Sequence, residues 1–369
     1  MKIVFDQQVF SWQQYGGISR YIYGLARGLT AEYRQNVTIV APLYVNQHLK
    51  QASKSLKVLG MPIKQTRRTG RVLRAINWAM AWPIIRYLHP DIVHETYYSA
   101  SRIAPKSAKV VLTVYDMIHE RFSDQFSAFD ATSKEKAIAV ARADHIICIS
   151  EQTRQDLIDF LGVNPAKTSV VYLGFSLTSQ PATPQKIDSL MRPFLLYVGN
   201  RDGYKNFVGI LQAYAVSDKL KSDFDLICFG GGAFTNKEIS LIKQLGLSTD
   251  TVRQISSSND AVLAGYYQAA SAFVYPSLYE GFGIPPLEAM SFNCPVVCSN
   301  VSSIPEVVGN AGLMFNPNDT QSIRLAIEQV VGDSALRESL IARGQERLKQ
   351  FSWERCAQET LDVYRKVLA

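Results

Sequence analysis

A chain of 369 residues, 47% hydrophobic and 19% charged with a formal charge of +7, predicts about two domains whose cores need no disulfide staples. Its five cysteines, Cys148, Cys228, Cys294, Cys298 and Cys356, are odd in number and lack Cys-x-x-Cys spacing, which argues against a disulfide scaffold or a zinc ribbon and reads as reduced core thiols in a cytosolic protein. No apolar run approaches the roughly 18 to 20 residues of a membrane span, and residues 1–6 lead straight into a strand, so a soluble or peripheral protein is expected.

Strand signals at 2–5, 37–41, 92–94, 110–114 and 145–149 alternate with helical periodicity near 18–31, 71–88, 133–142 and 152–161. Such alternation predicts α/β architecture with parallel strands in a doubly wound sheet. Between Glu32 and Asp91 there is no acidic residue, while Lys50, Lys64, Arg67, Arg68, Arg71, Arg74 and Arg86 all fall there. Within 69–88 the cations mix with Ile76, Trp78, Met80 and Trp82, a pattern that suits an interfacial helix on an anionic membrane surface. A core helix with solvated cations, or an acceptor-phosphate site, is the alternative. No helix-turn-helix, zinc-finger or aromatic RNA-binding motif accompanies the basic interval, so a nucleic-acid partner is not expected.

The stretch 174–192 is rich in Ser, Thr, Pro and Gln without a sustained apolar period, and a linker is assigned to 176–192. It divides an N-terminal domain, 1–175, from a C-terminal domain, 193–351. The second domain repeats the alternation, with strands expected at 194–198, 224–229, 252–255, 272–275 and 296–299. A last helical pattern, 352–368, opens on Ser352 as its cap.

The most informative run is S-L-Y-E-G-F-G-I-P-P-L-E at 277–288. It places Glu280 on a strand-to-helix loop and Glu288 inside a helix opened by proline. That loop lies at the carboxyl end of a strand, where open α/β sheets bind ligands, and the N–H groups of Gly281, Phe282 and Gly283 suit a phosphate there. The two glutamates accept from hydroxyls, so the pair of features points to a hydroxyl-rich, phosphorylated ligand. After the strand at 194–198 comes G-N-R-D-G-Y-K-N, whose Arg201 and Lys205 suit a diphosphate leaving group or are solvated turn charges. Gly16 and Gly17 follow the first strand and allow a ligand close to the backbone, with Arg20 either near the same anion or solvated. His94-Glu95 and Tyr115-Asp116 end two further strands; Asp116 is a candidate base or orienting group, and His94 and His119 are the nearby alternatives or else structural residues. No metal cluster or Asp-x-Asp pair is present, so no metal is expected.

The run E-G-F-G-I-P-P-L-E-A-M resembles the Glu-x7-Glu donor motif of retaining GT-B glycosyltransferases, in particular glycosyltransferase family 4. The similarity extends to G-G-I-S-R-Y at 16–21, T-V-Y-D-M-I at 113–118, L-Y-V-G-N-R-D-G-Y-K-N at 196–206 and S-S-I-P-E-V-V-G at 302–309. The resemblance implies the GT-B fold: two Rossmann-like domains facing a cleft, with the last helix crossing back to the first. It further implies retaining, metal-independent transfer of a sugar from a GDP- or UDP-linked donor, GDP-mannose being favoured. The acceptor implied is a saccharide on a polyprenyl diphosphate, in surface-polysaccharide or O-antigen assembly on the cytoplasmic membrane. By the same resemblance Glu280 contacts sugar hydroxyls, Glu288 the ribose, Gly281 to Gly283 the donor, Gly17 a diphosphate or acceptor group, and Lys205 a phosphate. Arg201 matches only with a displacement of one residue, since Asn200 and Tyr204 occupy the positions where the family carries arginine. Glu306 falls near the donor or is a helix-start carboxylate. Glu280, Asp116 and His94 form the catalytic set, and Tyr115 stands where many relatives have histidine. A sugar-nucleotide epimerase of the same architecture and a non-catalytic sugar-nucleotide-binding scaffold are the rival readings.

Overall fold

The computed structural model describes every residue except 53–55, 65–69, 128, 176–191, 202 and 258, and gives the backbone alone for 70–72. Seven parallel strands form the first sheet: β1 (Lys2–Phe5), β2 (Asn36–Tyr44), β3 (Lys57–Pro62), β4 (Ile92–Glu95), β5 (Lys109–Val114), β6 (His145–Cys148) and β7 (Thr168–Val170). Their order is β3-β2-β1-β4-β5-β6-β7. The central strands read as unbroken apolar runs because helices cover both faces of a parallel sheet, and Ile3, Phe5, Ile92, Val93, Val111 and Ile146 are all fully buried. β3 and β7 carry no such signal. The first is a mostly exposed edge strand interrupted by a glycine, and the second has three residues.

A second sheet of six parallel strands follows, comprising β8 (Phe194–Val198), β9 (Asp225–Phe229), β10 (Val252–Ile255), β11 (Ala272–Tyr275), β12 (Val296–Ser299) and β13 (Gly312–Phe315). Its order, β10-β9-β8-β11-β12-β13, repeats that of the first six strands of the other sheet. Tyr197, Phe207, Tyr214, Val274 and Ile327 anchor its core. In each sheet the order reverses beside the first strand, between β1 and β4 and between β8 and β11, and at such a reversal the connecting loops part to leave a ligand crevice at the carboxyl edge.

The chain forms two compact units, Met1–Gly174 with Phe351–Ala369, and Phe175–Gln350. Of the linker expected at 176–192, all but Arg192 lies outside the described residues. The terminal helix Trp353–Leu368 is part of the first unit, where it packs along the helix Gly17–Ala31. A Cβ on Gly24 would lie 2.5 Å from the Trp353 ring, so glycine is what lets these two helices approach.

In the helix Gly70–Leu88, Asn77, Ala81 and Ile85 recur every four residues and face inward. Asn77 accepts from the Leu43 N–H at 2.8 Å and donates to the Leu43 carbonyl at 2.8 Å, tying the helix to β2. Its outer side carries exposed Ile76, Trp78, Met80, Trp82 and Tyr87, with Arg86 lying 3.9 Å from the Trp82 ring centroid. Arg74 is exposed as well, whereas Arg67 and Arg68 lie outside the described residues. Among the described residues no helix is long and apolar enough to cross a membrane.

Candidate functional site

At the carboxyl edge of the second sheet, the loop after β8 carries Lys205 and the loop after β11 carries Glu280. These strands flank the reversal of strand order, so the two loops converge. Lys205 Nζ donates to both Glu280 oxygens, at 2.7 Å and 2.9 Å. Glu280 is 7% exposed, and its position is set by main-chain contacts as well as by the lysine. Ser302 holds a left-handed backbone (φ 59°), and its Oγ accepts from the Glu280 N–H at 3.1 Å while donating to the Glu280 carbonyl at 2.7 Å. Ser303 Oγ bridges the carbonyls of Glu280 and Phe282, each at 2.8 Å. Gly283, at φ 113°, makes the turn into the helix Ile284–Ser291 that an L side chain would strain. Burial, and then the Glu280 charge, lift the Tyr275 hydroxyl well above its ordinary pKa.

Glu288 sits in that helix, half-buried, and accepts from the Tyr267 hydroxyl at 3.2 Å. Tyr267 is itself buried, its ring stacked on Phe292 at 6.0 Å. Glu306 is half-buried in the short helix Ile304–Val308, and its main-chain carbonyl accepts from Arg347. Neither Tyr267 nor the Ser302-Ser303 pair is a site residue by sequence reasoning; the S-S-I-P run was visible, but nothing local shows that its hydroxyls reach residues more than twenty positions away.

Arg201 departs from expectation. Its Nε donates to Glu238 at 2.5 Å, Nη1 to the Gly230 carbonyl at 2.9 Å, and Nη2 to the carbonyls of Gly231, Gly232 and Ala233. The guanidinium fork thus staples the glycine turn after β9 to the helix Asn236–Gln244, and its side chain is 4% exposed. Its donors point at the protein's own carbonyls and at Glu238, an arrangement that braces the turn.

In the first unit, Asp6 at the end of β1 accepts from the Thr96 hydroxyl at 2.5 Å and N–H at 3.1 Å, closing the loops beside the reversal point. Asp116 is half-buried, its Oδ1 accepting from the Ile118 N–H at 3.0 Å. The Asp116 carbonyl accepts from Lys136 Nζ at 2.9 Å, and that fully buried lysine also pairs with Glu120 at 2.6 Å. Tyr115 is buried and donates to the Thr96 carbonyl at 2.9 Å, so its hydroxyl supports the loop after β4. Glu95 pairs with Arg142 at 2.5 Å, and burial lifts its pKa to about 7. Gly17 opens its helix with open space where a Cβ would stand. His119 stacks on Phe126 at 4.0 Å and lies 3.6 Å from Asp130.

His94 is engaged within the protein as well. It is fully buried, with Nδ1 2.5 Å from the Tyr364 hydroxyl and Nε2 2.8 Å from Thr113 Oγ1. Both ring nitrogens are engaged, and burial lowers its pKa to about 3, so the ring is neutral and joins the terminal helix to the sheet. Burial and these two partners favour the structural reading of His94 over proton transfer. All five cysteines are free and buried, and burial pushes the Cys148 thiol up to about 12, which makes it no nucleophile at neutral pH. Among the described residues no three His, Cys, Asp or Glu side chains gather as metal ligands.

The family model Glycosyltransferase Family 4 matches residues 15–179, and the model Glycosyl transferases group 1 matches residues 179–347. The chain is 36% identical over 228 residues to O-antigen chain mannosyltransferase B of Escherichia coli, covering 60% of this chain and 60% of that one. It therefore spans less than two thirds of that relative's length. It is 30% identical over 276 residues to alpha-maltose-1-phosphate synthase of Mycolicibacterium smegmatis, covering 65% of this chain and 68% of that one. Sucrose-phosphate synthase from Thermosynechococcus elongatus superposes with a TM-score of 0.77 at 20% identity, covering 100% of this chain and 99% of that chain, which shows a shared GT-B fold. Two adjoining family models that together run from residue 15 to residue 347, and a relative matched over most of its length, leave one assignment: the chain belongs to glycosyltransferase family 4.

Proposed function

We propose that the chain is a retaining, metal-independent glycosyltransferase that moves a hexose, mannose from GDP-mannose in the favoured case, from a nucleotide diphosphate to a saccharide acceptor. The observation that carries this reading is the Lys205–Glu280 pair, held at the strand-order reversal of the second sheet. Lys205 would pass from Glu280 to the diphosphate and stabilise the charge that develops as the phosphate departs. Glu280 would then be released to the sugar hydroxyls, with Ser302 and Ser303 keeping its main chain in place. Glu288, oriented by Tyr267, would accept from the ribose. The anomeric carbon breaks its bond to the phosphate oxygen and forms one to the acceptor hydroxyl on the same face. The hydroxyl proton passes to the departing phosphate, so no histidine base is required, in keeping with a neutral, buried His94. Asp116 is left to orient the acceptor hydroxyl. The E. coli relative's name supports mannose as the sugar and an O-antigen chain as the setting.

The acceptor in this reading is carried on a polyprenyl diphosphate at the inner face of the membrane. Support comes from the helix Gly70–Leu88, which has exposed Trp78, Trp82, Ile76 and Met80, cations Arg74 and Arg86, and no acidic residue. The test is an assay of the purified chain against a panel of nucleotide sugars and saccharide acceptors, in excess EDTA, with the new linkage assigned by NMR. Transfer with retention at the anomeric carbon is expected. Inversion, or transfer that vanishes in EDTA and returns with magnesium or manganese, would overturn the mechanism; nucleotide release that never yields a glycoside would overturn the function.

A further inference from the structure

At the amino edge of the first sheet, opposite the carboxyl edge that carries Asp116, a cavity of about 420 Å³ is lined by Lys2, Asn36, Thr38, Lys57 and His89, with Ile3, Val4, Tyr87 and Leu88 as its apolar walls. Register explains why these polar groups converge. Lys2 pairs with Asn36 across β1 and β2, and Thr38 pairs with Lys57 across β2 and β3. Residues two apart on one strand share a face, so Asn36 and Thr38 point the same way, and their partners on neighbouring strands point with them. The end of the helix Gly70–Leu88 borders this face through Leu88 and the largely exposed Tyr87.

Two features distinguish the cavity from a chance gap between surface lysines. Thr38 is 4% exposed and lines the cavity, and its hydroxyl makes no hydrogen bond with a described residue, so the small part of this residue that meets the cavity is available to a ligand. Neither Lys2 nor Lys57 forms an ion pair with a described residue. Asp91, at the same edge, directs its carboxylate to the Lys2 main-chain N–H at 2.7 Å.

We infer that this cavity binds the phosphate group of a phosphate ester. Two ammonium groups supply point charges of the kind that bind phosphate, and Thr38, Asn36 and His89 add further donors around them. Several acceptor oxygens on one small anion match that donor set, and the Tyr87, Leu88 and Val4 wall accommodates the organic part of the ester. The source is either a soluble phosphate ester or the phosphodiester of a lipid headgroup, since the cavity adjoins the exposed aromatic side of the helix Gly70–Leu88. The inference does not depend on glycosyl transfer, because the residues concerned are in the first unit and at its opposite edge from Asp116.

The experiment titrates the full chain with inorganic phosphate and with glycerol 1-phosphate, following the Thr38 methyl and the Lys2 and Lys57 amides by NMR. In parallel, the protein is floated with phosphatidylcholine vesicles, with and without phosphatidylglycerol. Saturable shifts at these residues are expected, with affinity falling by about tenfold or more in Lys2→Gln/Lys57→Gln. Thr38→Val, which removes the hydroxyl and keeps the shape, is expected to weaken binding as well. Arg74→Gln/Arg86→Gln, an equal loss of charge elsewhere, is expected to retain ester binding. Flotation with phosphatidylglycerol that is lost in the lysine double variant identifies the headgroup as the source. Flotation unchanged while ester binding is lost identifies the soluble ester. Absence of shifts at these residues with both soluble probes overturns the inference, as does equal ester affinity in wild type and the lysine double variant, or an equal loss in the arginine double variant. Nucleoside diphosphate affinity, read on the same proteins, should not change, which separates failure of this site from failure of the transferase reading.

Discussion

Lys205 and Glu280 are 75 residues apart in sequence, yet the lysine ammonium touches both oxygens of the carboxylate, at 2.7 Å and 2.9 Å. Each side chain is mostly shielded from water, at 22% and 9% exposure, so each needs a partner whether or not a donor is bound. A donor that brings a diphosphate and hydroxyls offers both groups replacements at once. That exchange is the physical basis for the first predictions.

Glu280→Gln should keep the fold, since the amide retains the shape and the Ser302 and Ser303 contacts are to main chain. Transfer should fall by roughly 10² or more, the scale of losing a preorganised transition-state contact. Single-turnover kinetics on the folded variant check this, and near-normal rates would remove Glu280 from the reaction.

Lys205→Ala and Arg201→Ala should differ in kind. The first should weaken a nucleoside diphosphate far more than the nucleoside, because the lost contact is with phosphate. The second should lower stability by roughly 1–3 kcal/mol, having removed the guanidinium that pairs with half-buried Glu238 and ties the Gly230 turn, and weaken both ligands alike. Calorimetry with both ligands and thermal melts separate them; a selective diphosphate loss in Arg201→Ala would restore its expected role.

Tyr267→Phe removes only the hydroxyl that donates to Glu288. A hydrogen bond to a charged acceptor contributes about 1.5–3 kcal/mol, so the Michaelis constant for donor should rise by roughly tenfold or more. Turnover should hardly move, because a ribose contact is shared by ground and transition states. An unchanged Michaelis constant would show that Tyr267 does not orient Glu288.

His94 makes acidification costly. Its folded pKa, about 3, lies below the ordinary 6.5, so the unfolded chain protonates first; this stability is present above about pH 6.5 and is lost as pH falls toward 3. Glu95, raised to about 7, acts oppositely, contributing stability below its ordinary 4.5 that is lost as pH rises through 7. The clean measurement is therefore the stability difference between wild type and His94→Gln. That difference should shrink as pH falls from 7 to 5 in chemical denaturation, and a gap independent of pH would mean that His94 titrates normally.

Trp78→Ser/Trp82→Ser should reduce flotation with anionic vesicles while sparing activity on a short water-soluble acceptor. Both rings are on the exposed side of their helix and away from the inward-facing Asn77, Ala81 and Ile85. Equal flotation of variant and wild type would place membrane contact elsewhere.

Local pattern carried much of this protein. The buried strands β1, β4, β5, β8, β11 and β12 read from mostly apolar runs between helical periods, because a strand covered on both faces presents neither side to water; β4 ends in a buried, partnered His94 and Glu95. The Glu280-to-Glu288 run and Lys205 were legible for a related reason: a glycine-rich strand-to-helix turn places its residues at the carboxyl edge whatever the rest of the chain does. β3, β7 and β13 were not, since short or half-exposed edge strands need little apolar surface and leave little trace.

Side-chain partners were decided only by the tertiary structure. From sequence Arg201 and Lys205 were two cations on one loop; packing turned the first toward the Gly230 turn and the second toward Glu280. His94 looked like a strand-end group at the site until the terminal helix brought Tyr364, 270 residues away, to its Nδ1. Periodicity is a property of a few neighbouring residues and survives in any window of the sequence. A hydrogen-bond partner is set by which distant segments pack together, and that is determined only when the whole chain has folded.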